Sequence, residues 1–199
     1  MVATSGISAR ARSTSRTAHE EPNSERPPST ADLAQAIHSL AQADDDDYWS
    51  FADRGERDYL HGLFRYPAMM VPRLQRELLR TCLEWNPAIS SVYDPFVGSG
   101  TVMTETMLVG RDFIGTDINP LAILTCRAKS EFLSVESMRR DFRGLMRAVA
   151  ADHDVTVDVH FANITKWFQP HVLVGLSRLR RAIRGRSSSR ARRFWWAVL

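Results

Sequence analysis

The stretch Asp94-Pro95-Phe96-Val97-Gly98-Ser99-Gly100-Thr101 decides the fold of this chain. It follows Ser91-Val92-Tyr93, which is predicted to be a short buried strand, and it leads into a helix predicted from Thr101 to Leu108. Glycines in such a turn remove side-chain bulk, and the start of the next helix offers unpaired backbone N–H groups. The order strand, Gly-x-Gly, helix is therefore typical of a turn that brings the backbone close to a ligand.

Strands and helices alternate on both sides of this turn. A helix is predicted from Pro72 to the Asn86-Pro87 pair, a second strand over residues 112–117, and a helix from Pro120 to about Ser130. Ser134 is a candidate N-cap of an amphipathic helix, and residues 155–161 alternate as a third strand would. This order predicts an α/β fold with parallel strand pairing.

Length and composition predict one domain with a tail. The chain has 199 residues, of which 44% are hydrophobic and 25% charged, which is enough apolar material for a core. Residues 1–30, rich in Ser, Thr, Arg and Pro, are predicted to be disordered. Residues 31–58 are predicted to form a short helix and an acidic linker that contains Asp44–Asp47. Residues 59–199 remain for the main domain.

Several protein classes are excluded or disfavoured by the same composition. No apolar run approaches the roughly 18 residues that a membrane helix needs. Two cysteines, Cys82 and Cys126, are too few for a disulfide scaffold and too isolated for a zinc cluster, so no metal site is expected. We expect a cytoplasmic protein without a membrane partner.

The C-terminal part of the chain is strongly basic. The net charge is +3, but no acidic residue follows Asp158, whereas Lys166 and eight arginines do. A polyanionic partner is one interpretation, and a solvated helical face with an arginine-biased composition is the other. The candidate nucleic-acid-binding residues are Arg178, Arg181, Arg184 and Arg186.

The residues around the two glycines narrow the class of ligand. A phosphate-binding P-loop would need a lysine after the second glycine, and Thr101 and Val102 stand there instead. A dinucleotide turn would need a third glycine at Met103, and a carboxylate such as Asp94 would repel its pyrophosphate. Asp117, 19 residues after Gly98, suits the two ribose hydroxyls. A ligand with a ribose, a cationic amino-acid end and no phosphate is implied, and S-adenosylmethionine fits that description.

Three segments together resemble one enzyme family. They are the glycine turn of residues 94–101, the strand end Asp112-Phe113-Ile114-Gly115-Thr116-Asp117-Ile118-Asn119-Pro120, and the upstream Tyr66-Pro67-Ala68-Met69-Met70-Val71-Pro72. The match covers roughly Tyr59 to Lys129 and resembles the cofactor half of amino-group DNA methyltransferases. These enzymes methylate N4 of cytosine or N6 of adenine, often beside restriction enzymes. The resemblance implies a class I S-adenosylmethionine-dependent methyltransferase fold with a Rossmann-like parallel sheet, of which only the first three strands are present.

The resemblance also implies roles for individual residues. Asp94 would face the amino group of S-adenosylmethionine, Asp117 would hold the ribose, and Ile118 would lie against the adenine. Ser99 or Thr101 would bind the carboxylate. The residues assigned to the cofactor in this way are Tyr66, Pro67, Asp94, Pro95, Phe96, Gly98, Ser99, Gly100, Thr101, Asp117, Ile118, Asn119 and Asn163.

One part of the family pattern is missing from the sequence. Transfer to an exocyclic amino group uses an Asp/Asn/Ser-Pro-Pro-aromatic segment, whose polar groups accept the amino protons while the aromatic ring stacks on the flipped base. The chain contains no such tetrapeptide, since Pro27-Pro28 is flanked by Arg26 and Ser29. No catalytic residue is therefore assigned within the chain. The aromatic ending Phe194-Trp195-Trp196-Ala197-Val198-Leu199 is also a poor terminus. We therefore expect residues 59–199 to be the N-terminal part of a methyltransferase domain, completed by a downstream polypeptide.

Two other functions remain open on the sequence. An RNA or tRNA guanosine methyltransferase can share a very similar glycine turn, although the Tyr66-Pro67 to Pro72 segment favours DNA. A catalytically dead fragment that binds nucleic acid through its basic end is the non-enzymatic alternative.

Overall fold

The computed structural model describes residues 5–9, 29–42, 59–64, 66–67, 69–131 and 133–199. The chain divides into two compact units, unit 1 (residues 1–130) and unit 2 (residues 131–199). The division falls inside the region 59–199 that the sequence suggested as one domain. The acidic linker with Asp44–Asp47 lies outside the described residues.

Unit 1 alternates strands and helices around the glycine turn. Its elements are β1 (Ser5–Ala9), α1 (Thr30–Gln42), α2 (Pro72–Trp85), β2 (Ser91–Asp94), α3 (Thr101–Leu108), β3 (Asp112–Asp117) and α4 (Pro120–Ser130). The predicted helices and strands from Pro72 to Ser130 are confirmed. Local sequence signals are enough to predict these element boundaries, because prolines begin α2 and α4 and left-handed glycines stand at both ends of α3.

The three strands in the described part of unit 1 form a mixed sheet in the order β1-β3-β2. β2 pairs with β3 in parallel, with Val92 opposite Phe113 and Asp94 opposite Gly115. β1 pairs with β3 in the antiparallel direction, with Ser5 opposite Asp117. The α/β class is confirmed by this sheet, whereas the wholly parallel arrangement is wrong.

The prediction of a disordered tail is wrong for residues 5–9. Ile7 and Ala9 are buried in the unit 1 core, whereas Gly6 and Ser8 on the alternate positions are exposed. The segment therefore alternates as a half-buried strand does, although with small residues that give a weak sequence signal. Its backbone occupies an edge of β3 that would otherwise expose unpaired N–H and C=O groups. The structure describes no part of residues 10–28.

The prediction of a third strand at residues 155–161 is also wrong. The structure has no strand there, and the backbone of this segment bonds to side chains of a unit 2 helix, α7 (Pro170–Arg184). The Asp158 N–H donates to Ser177 Oγ at 3.0 Å, and Arg181 donates to the carbonyl oxygens of Asp154 and Thr156 at 3.1 and 3.2 Å. These side chains satisfy backbone groups that a neighbouring strand would otherwise pair.

The core of unit 1 lies beneath the glycine turn. Phe113 of β3 and Met103 of α3 are fully buried, and Cys126 of α4 joins them. Gly115 of β3 allows this close packing, because a Cβ atom there would lie only 2.1 Å from Val97 Cγ1. The turn therefore rests on a packed base formed by α3, α4 and β3.

Unit 2 is helical in the part that the structure describes. Its elements are α5 (Val135–Ala151), α6 (Ile164–Trp167), α7 and α8 (Ser189–Val198). The predicted cap of α5 is confirmed, because Ser134 Oγ accepts a hydrogen bond from the Ser137 N–H at 3.2 Å. Leu145 and Ile183 form its buried core.

The aromatic end of the chain is packed, contrary to the expectation of an exposed terminus. Trp195 and Trp196 of α8 are half-buried against the Leu145 and Ile183 core, and Trp195 Nε1 donates to Asp141 Oδ2 at 2.6 Å. The arginines of the same helix are accommodated because Arg193 pairs with Glu131, Arg192 donates to the Arg186 carbonyl and Arg190 is exposed.

Candidate functional site

Two carboxylates stand at the carboxyl ends of the parallel strands β2 and β3. Asp94 lies opposite Gly115 in the register, and Asp117 lies two residues beyond Gly115 along β3. Because side chains two apart on a strand point to the same face, Asp94 and Asp117 share one face of the sheet. Both are half-buried. The arrangement that the spacing predicted is present in unit 1.

The thiol of Cys126 lies near both carboxylates. Burial raises the pKa of this thiol to about 12, against the lowering effect of Lys129, and the charges of Asp117 and Asp94 act in the same direction as burial. The charges of both carboxylates therefore act on the same buried thiol. The thiol therefore stays protonated at neutral pH and fills space beneath the turn.

The glycine turn is fixed to β3 by hydrogen bonds. Asp94 Oδ1 accepts from the Phe96 N–H at 2.9 Å, which folds the chain back after β2. Thr116 binds the next residues, since its Oγ1 donates to the Pro95 carbonyl at 3.1 Å and its own carbonyl accepts from the Val97 N–H at 3.1 Å. Pro95 and Phe96 are left exposed, and the Phe96 side chain is 83% exposed.

Gly98 and Gly100 both adopt left-handed backbone conformations, with φ of +48° and +76°. The Gly98 N–H donates to Asp117 Oδ2 at 2.9 Å. Gly100 packs against α4, because a Cβ atom there would lie 2.8 Å from Cys126 Sγ. A side chain at Gly100 would meet both backbone strain and a collision.

The hydroxyl groups of the turn are buried. Ser99 Oγ and Thr101 Oγ1 lie 3.1 Å apart and bond to each other, with side chains only 4% and 3% exposed. The sequence suggested one of them as a ligand for the cofactor carboxylate. In unit 1 both hydroxyls instead lie within the protein.

The upstream segment is brought to the turn through Tyr66. Its hydroxyl accepts a hydrogen bond from Asn119 Nδ2 at 2.9 Å, and its ring lies beside Gly98. Asn119 Oδ1 accepts from the Leu121 N–H at 3.0 Å, so the same side chain begins α4. Pro67 is exposed, and Ile118 is 72% exposed. The structure thus brings Tyr66, the glycine turn and the end of β3 together.

Lys129 is a residue of this site that sequence reasoning missed. Its Nζ donates to the Ser99 carbonyl oxygen at 2.8 Å, and its side chain is buried. Burial lowers the pKa of this lysine, with an opposing effect from Cys126. Cys126 also donates to the Gly98 carbonyl at 3.7 Å. Residues 126 and 129 stand one helical turn apart on α4, a spacing that could have indicated a shared contact.

A second missed feature is a buried ionic cluster of His61, Arg76 and Glu105. Glu105 Oε1 lies 2.7 Å from His61 Nε2, and its other oxygen accepts from Arg76 Nε at 2.8 Å. Burial alone would raise the pKa of Glu105, but the hydrogen bonds of His61 and Arg76 lower it overall. The cluster joins α2, α3 and the segment before Tyr66. A lone acid within the apolar helix Thr101–Leu108 was the available signal.

The remaining predicted residues lie in unit 2. Asn163 stands at the start of α6 with φ of +62° and is exposed. It is not among the residues that unit 1 assembles around the glycine turn.

Three of the four arginines predicted to contact nucleic acid are engaged in hydrogen bonds within unit 2. Arg181 donates to Asp152 at 2.8 Å and to Asp158 at 2.7 Å, and Arg186 donates from Nε to Asp141 at 2.9 Å. Arg178 and Arg184 are the other two: Arg178 donates to the Asp154 carbonyl at 3.2 Å, while Arg184 is exposed. Of the four, only Arg184 lacks a partner within the described part of the chain.

Comparison with known proteins identifies the family. Residues 14–125 match the N6_N4_Mtase family model, whose description is DNA methylase. The chain belongs to this family. This DNA methylase chain is 29% identical over 151 residues to the type II methyltransferase M.MvaI of Kocuria varians, covering 70% of the chain and 33% of that protein.

A second curated relative is more distant. The chain is 26% identical over 89 residues to the type II methyltransferase M.MjaII of Methanocaldococcus jannaschii, covering 45% of the chain and 16% of that protein. The matched part thus spans a third of the first relative's length and less of the second's. No solved structure matches the chain significantly.

Proposed function

We propose that this DNA methylase chain is the cofactor-binding part of an S-adenosylmethionine-dependent enzyme that methylates an exocyclic amino group of DNA, N4 of cytosine or N6 of adenine. The observation that supports it most is the position of Asp94 and Asp117 on one face, at the ends of adjacent parallel strands, with Gly98 and Gly100 between them. The family match to DNA methylases favours DNA over an RNA or tRNA substrate.

The charges of the site suit this cofactor better than a nucleotide phosphate. Asp94 would accept hydrogen bonds from the cationic amino group, and Asp117 from the ribose hydroxyls. Asp117 already accepts the N–H groups of Gly98 and Asn119 at 2.9 and 2.8 Å, which orient its carboxylate and leave further lone pairs available. Lys129 donates to a carbonyl oxygen and is buried, so it offers no open cationic site for a phosphate.

Apolar surfaces beside the two strand ends support the same ligand. Phe96 follows β2 and Ile118 follows β3, and both are largely exposed although they are large and apolar. Exposed apolar side chains that lie next to converging polar groups indicate a ligand-binding site, whereas single exposed apolar residues elsewhere on a surface do not. We propose that Ile118 lies against the adenine and that Tyr66 and Pro67 close the methionine end. Asn163, from unit 2, is proposed for the adenine edge on the resemblance alone.

The methyl donor itself supplies the reactive group. S-adenosylmethionine provides an electrophilic methyl on its sulfonium sulfur, and the residues of unit 1 bind and orient the molecule that carries it. Accepting protons from the target amine needs the Pro-Pro segment, which these 199 residues do not contain. We therefore propose that residues 59–199 are the N-terminal part of the domain and that a further polypeptide segment supplies catalysis. A cytoplasmic restriction-modification role is proposed by analogy with the type II relatives.

Calorimetric titration with S-adenosylmethionine tests the binding part of this proposal. We expect saturable heat with S-adenosylmethionine and none with NAD or ATP, because the carboxylates at Asp94 and Asp117 repel their phosphates. Absence of heat with S-adenosylmethionine would contradict the proposal.

A methyl-transfer assay tests the catalytic part. With labelled methyl donor and duplex DNA, we expect no incorporation by these residues alone. Incorporation into DNA would show that the catalytic groups lie within them, and incorporation into tRNA but not DNA would favour the RNA alternative.

A further inference from the structure

Helix α5 carries four arginines on one exposed face. Arg139, Arg140, Arg143 and Arg147 fall within an arc of about 100° at 3.6 residues per turn, and all four are exposed. None of them has a hydrogen bond or ion pair to any residue that the structure describes. We refer to these four residues as the α5 arginine face.

The opposite side of α5 is anchored in unit 2. Leu145 is buried in the core, and Asp141 accepts hydrogen bonds from Arg186 Nε at 2.9 Å and from Trp195 Nε1 at 2.6 Å. Arg186 also packs its guanidinium over Gly144, which has no side chain to obstruct it. These contacts fix the rotation of the helix and keep the arginine face directed outward.

Most other arginines of unit 2 form hydrogen bonds or ion pairs with residues of the same unit. Residues 131–199 hold thirteen Lys and Arg against six Asp and Glu. Five of these six acids bond to arginines that follow α5 in the chain, as in the pairs Arg180–Asp158, Arg181–Asp152 and Arg193–Glu131. The sixth, Glu136, lies exposed on α5 and offsets part of the charge of the arginine face. The positive charge without a carboxylate partner is therefore densest on α5, and Lys166, Arg184 and Arg190 are single exposed cations elsewhere in unit 2.

We propose that the α5 arginine face binds the phosphate backbone of duplex DNA. The assignment of DNA as the polymer rests on the proposed function. From residue 139 to residue 147 the helix rises about 12 Å, over which duplex DNA presents about seven phosphate charges. Guanidinium groups bind phosphate oxygens with paired N–H donors, so four of them on one rigid face can contact about half of these phosphates. Such contacts provide affinity and orientation and carry no sequence choice.

The salt dependence of DNA binding by the full chain tests this proposal. Each phosphate contact contributes about −0.9 to the slope of log affinity against log salt for B-DNA, so replacing all four arginines by glutamine should make the slope shallower by about 3.6. The matched comparison uses two doubly substituted chains. Arg143→Gln/Arg147→Gln should change the slope by about 1.8, whereas Arg184→Gln/Arg190→Gln should change it much less. Fluorescence anisotropy with a labelled duplex, measured over a series of KCl concentrations, gives the slopes.

The outcomes separate this inference from the proposed function. An unchanged slope in the quadruple variant, or no DNA binding by the unsubstituted chain, would overturn the inference. Polyglutamate binding with the same affinity and the same dependence on α5 would also overturn it, since that marks attraction to any polyanion. Calorimetry with S-adenosylmethionine on the same proteins tests cofactor binding independently of DNA binding. If the unsubstituted chain gives no binding heat with S-adenosylmethionine, that result contradicts the proposed function and not the role of the α5 arginine face. Circular dichroism checks that the surface substitutions leave the helices intact.

Discussion

The Gly98 N–H donates a hydrogen bond to Asp117 Oδ2 at 2.9 Å, joining two residues that are 19 positions apart. The glycine turn and the end of β3 are therefore one unit of structure. Because Gly98 is in the left-handed region, its N–H can point at the carboxylate without a side chain intervening. Asp117 thus has two tasks, holding the turn and presenting its remaining lone pairs to the face that Asp94 shares.

Replacing Asp117 by alanine should weaken S-adenosylmethionine binding. The loss of charge-assisted bonds to the ribose and of the bond to Gly98 should cost about 1–3 kcal/mol. Calorimetric titration measures the change. Glu136→Ala removes an exposed carboxylate from unit 2 and serves as the control, with unchanged affinity expected. Equal affinities for Asp117→Ala and the unsubstituted chain would remove Asp117 from the site.

Two glycine substitutions separate backbone strain from packing. Gly100→Ala and Gly110→Ala both place a Cβ atom on a left-handed residue, at φ of +76° and +71°, but only the first meets Cys126 Sγ at 2.8 Å. In both variants, backbone strain should lower the free energy of unfolding by about 1–2 kcal/mol. Gly100→Ala should lose about 1–3 kcal/mol more from overpacking. Urea denaturation measures both free energies of unfolding.

The combined variant Gly100→Ala/Cys126→Ala provides the control for this packing argument. Removing the sulfur should recover part of the additional loss at position 100, because the two side chains would no longer collide. No coupling between the two substitutions would contradict a direct contact between Gly100 and Cys126.

The ionic cluster of His61, Arg76 and Glu105 should give unit 1 an acid-sensitive stability. The pKa of Glu105 is lower in the folded protein than its ordinary value of 4.5, so its ionised form stabilises the fold above that pH. This stabilisation is lost as the pH falls through the folded-state pKa. Glu105→Gln should lower the local unfolding free energy near neutral pH by about 3 kcal/mol, as expected on removing one partner of a buried ion pair. The difference should shrink below pH 4.5.

Hydrogen exchange of α3 amides at several pH values measures this local stability. Glu84→Gln, on the exposed surface of α2, is the control and should change it by less than about 0.5 kcal/mol. A difference between the Glu105→Gln variant and the unsubstituted chain that stays constant into acid would exclude the ionisation of Glu105 as its cause.

Arg181 should control the order of residues 152–158. It donates to the carboxylates of Asp152 and Asp158 and to two backbone carbonyls, and its hydrogen bond lowers the pKa of Asp152. Arg181→Gln should therefore increase hydrogen exchange across this segment, as followed by mass spectrometry. Arg184→Gln, one helical turn away and exposed, should leave the exchange unchanged. Similar exchange in both variants would contradict this role for Arg181.

The sequence predicted most of unit 1 because its signals are local. Proline at the first position of α2, left-handed glycines around α3 and the run of strand residues before Asp94 act through neighbouring backbone geometry. The spacing of Asp94, Gly98 and Asp117 followed from the same order of elements. The cofactor half of the family pattern is therefore recognisable from the sequence alone.

Only the tertiary structure decided which segments and charges meet. Ser5–Ala9 pairs with a strand more than a hundred residues away, and residues 155–161 bond to Arg181 and Ser177 instead of forming a strand. Both outcomes depend on competition for backbone donors and acceptors, which no local pattern records. Tertiary packing also decides that Lys129 lies beneath the turn, and it decides which arginines are paired and which are exposed. A buried charge needs a partner, and the partner is chosen by packing in three dimensions.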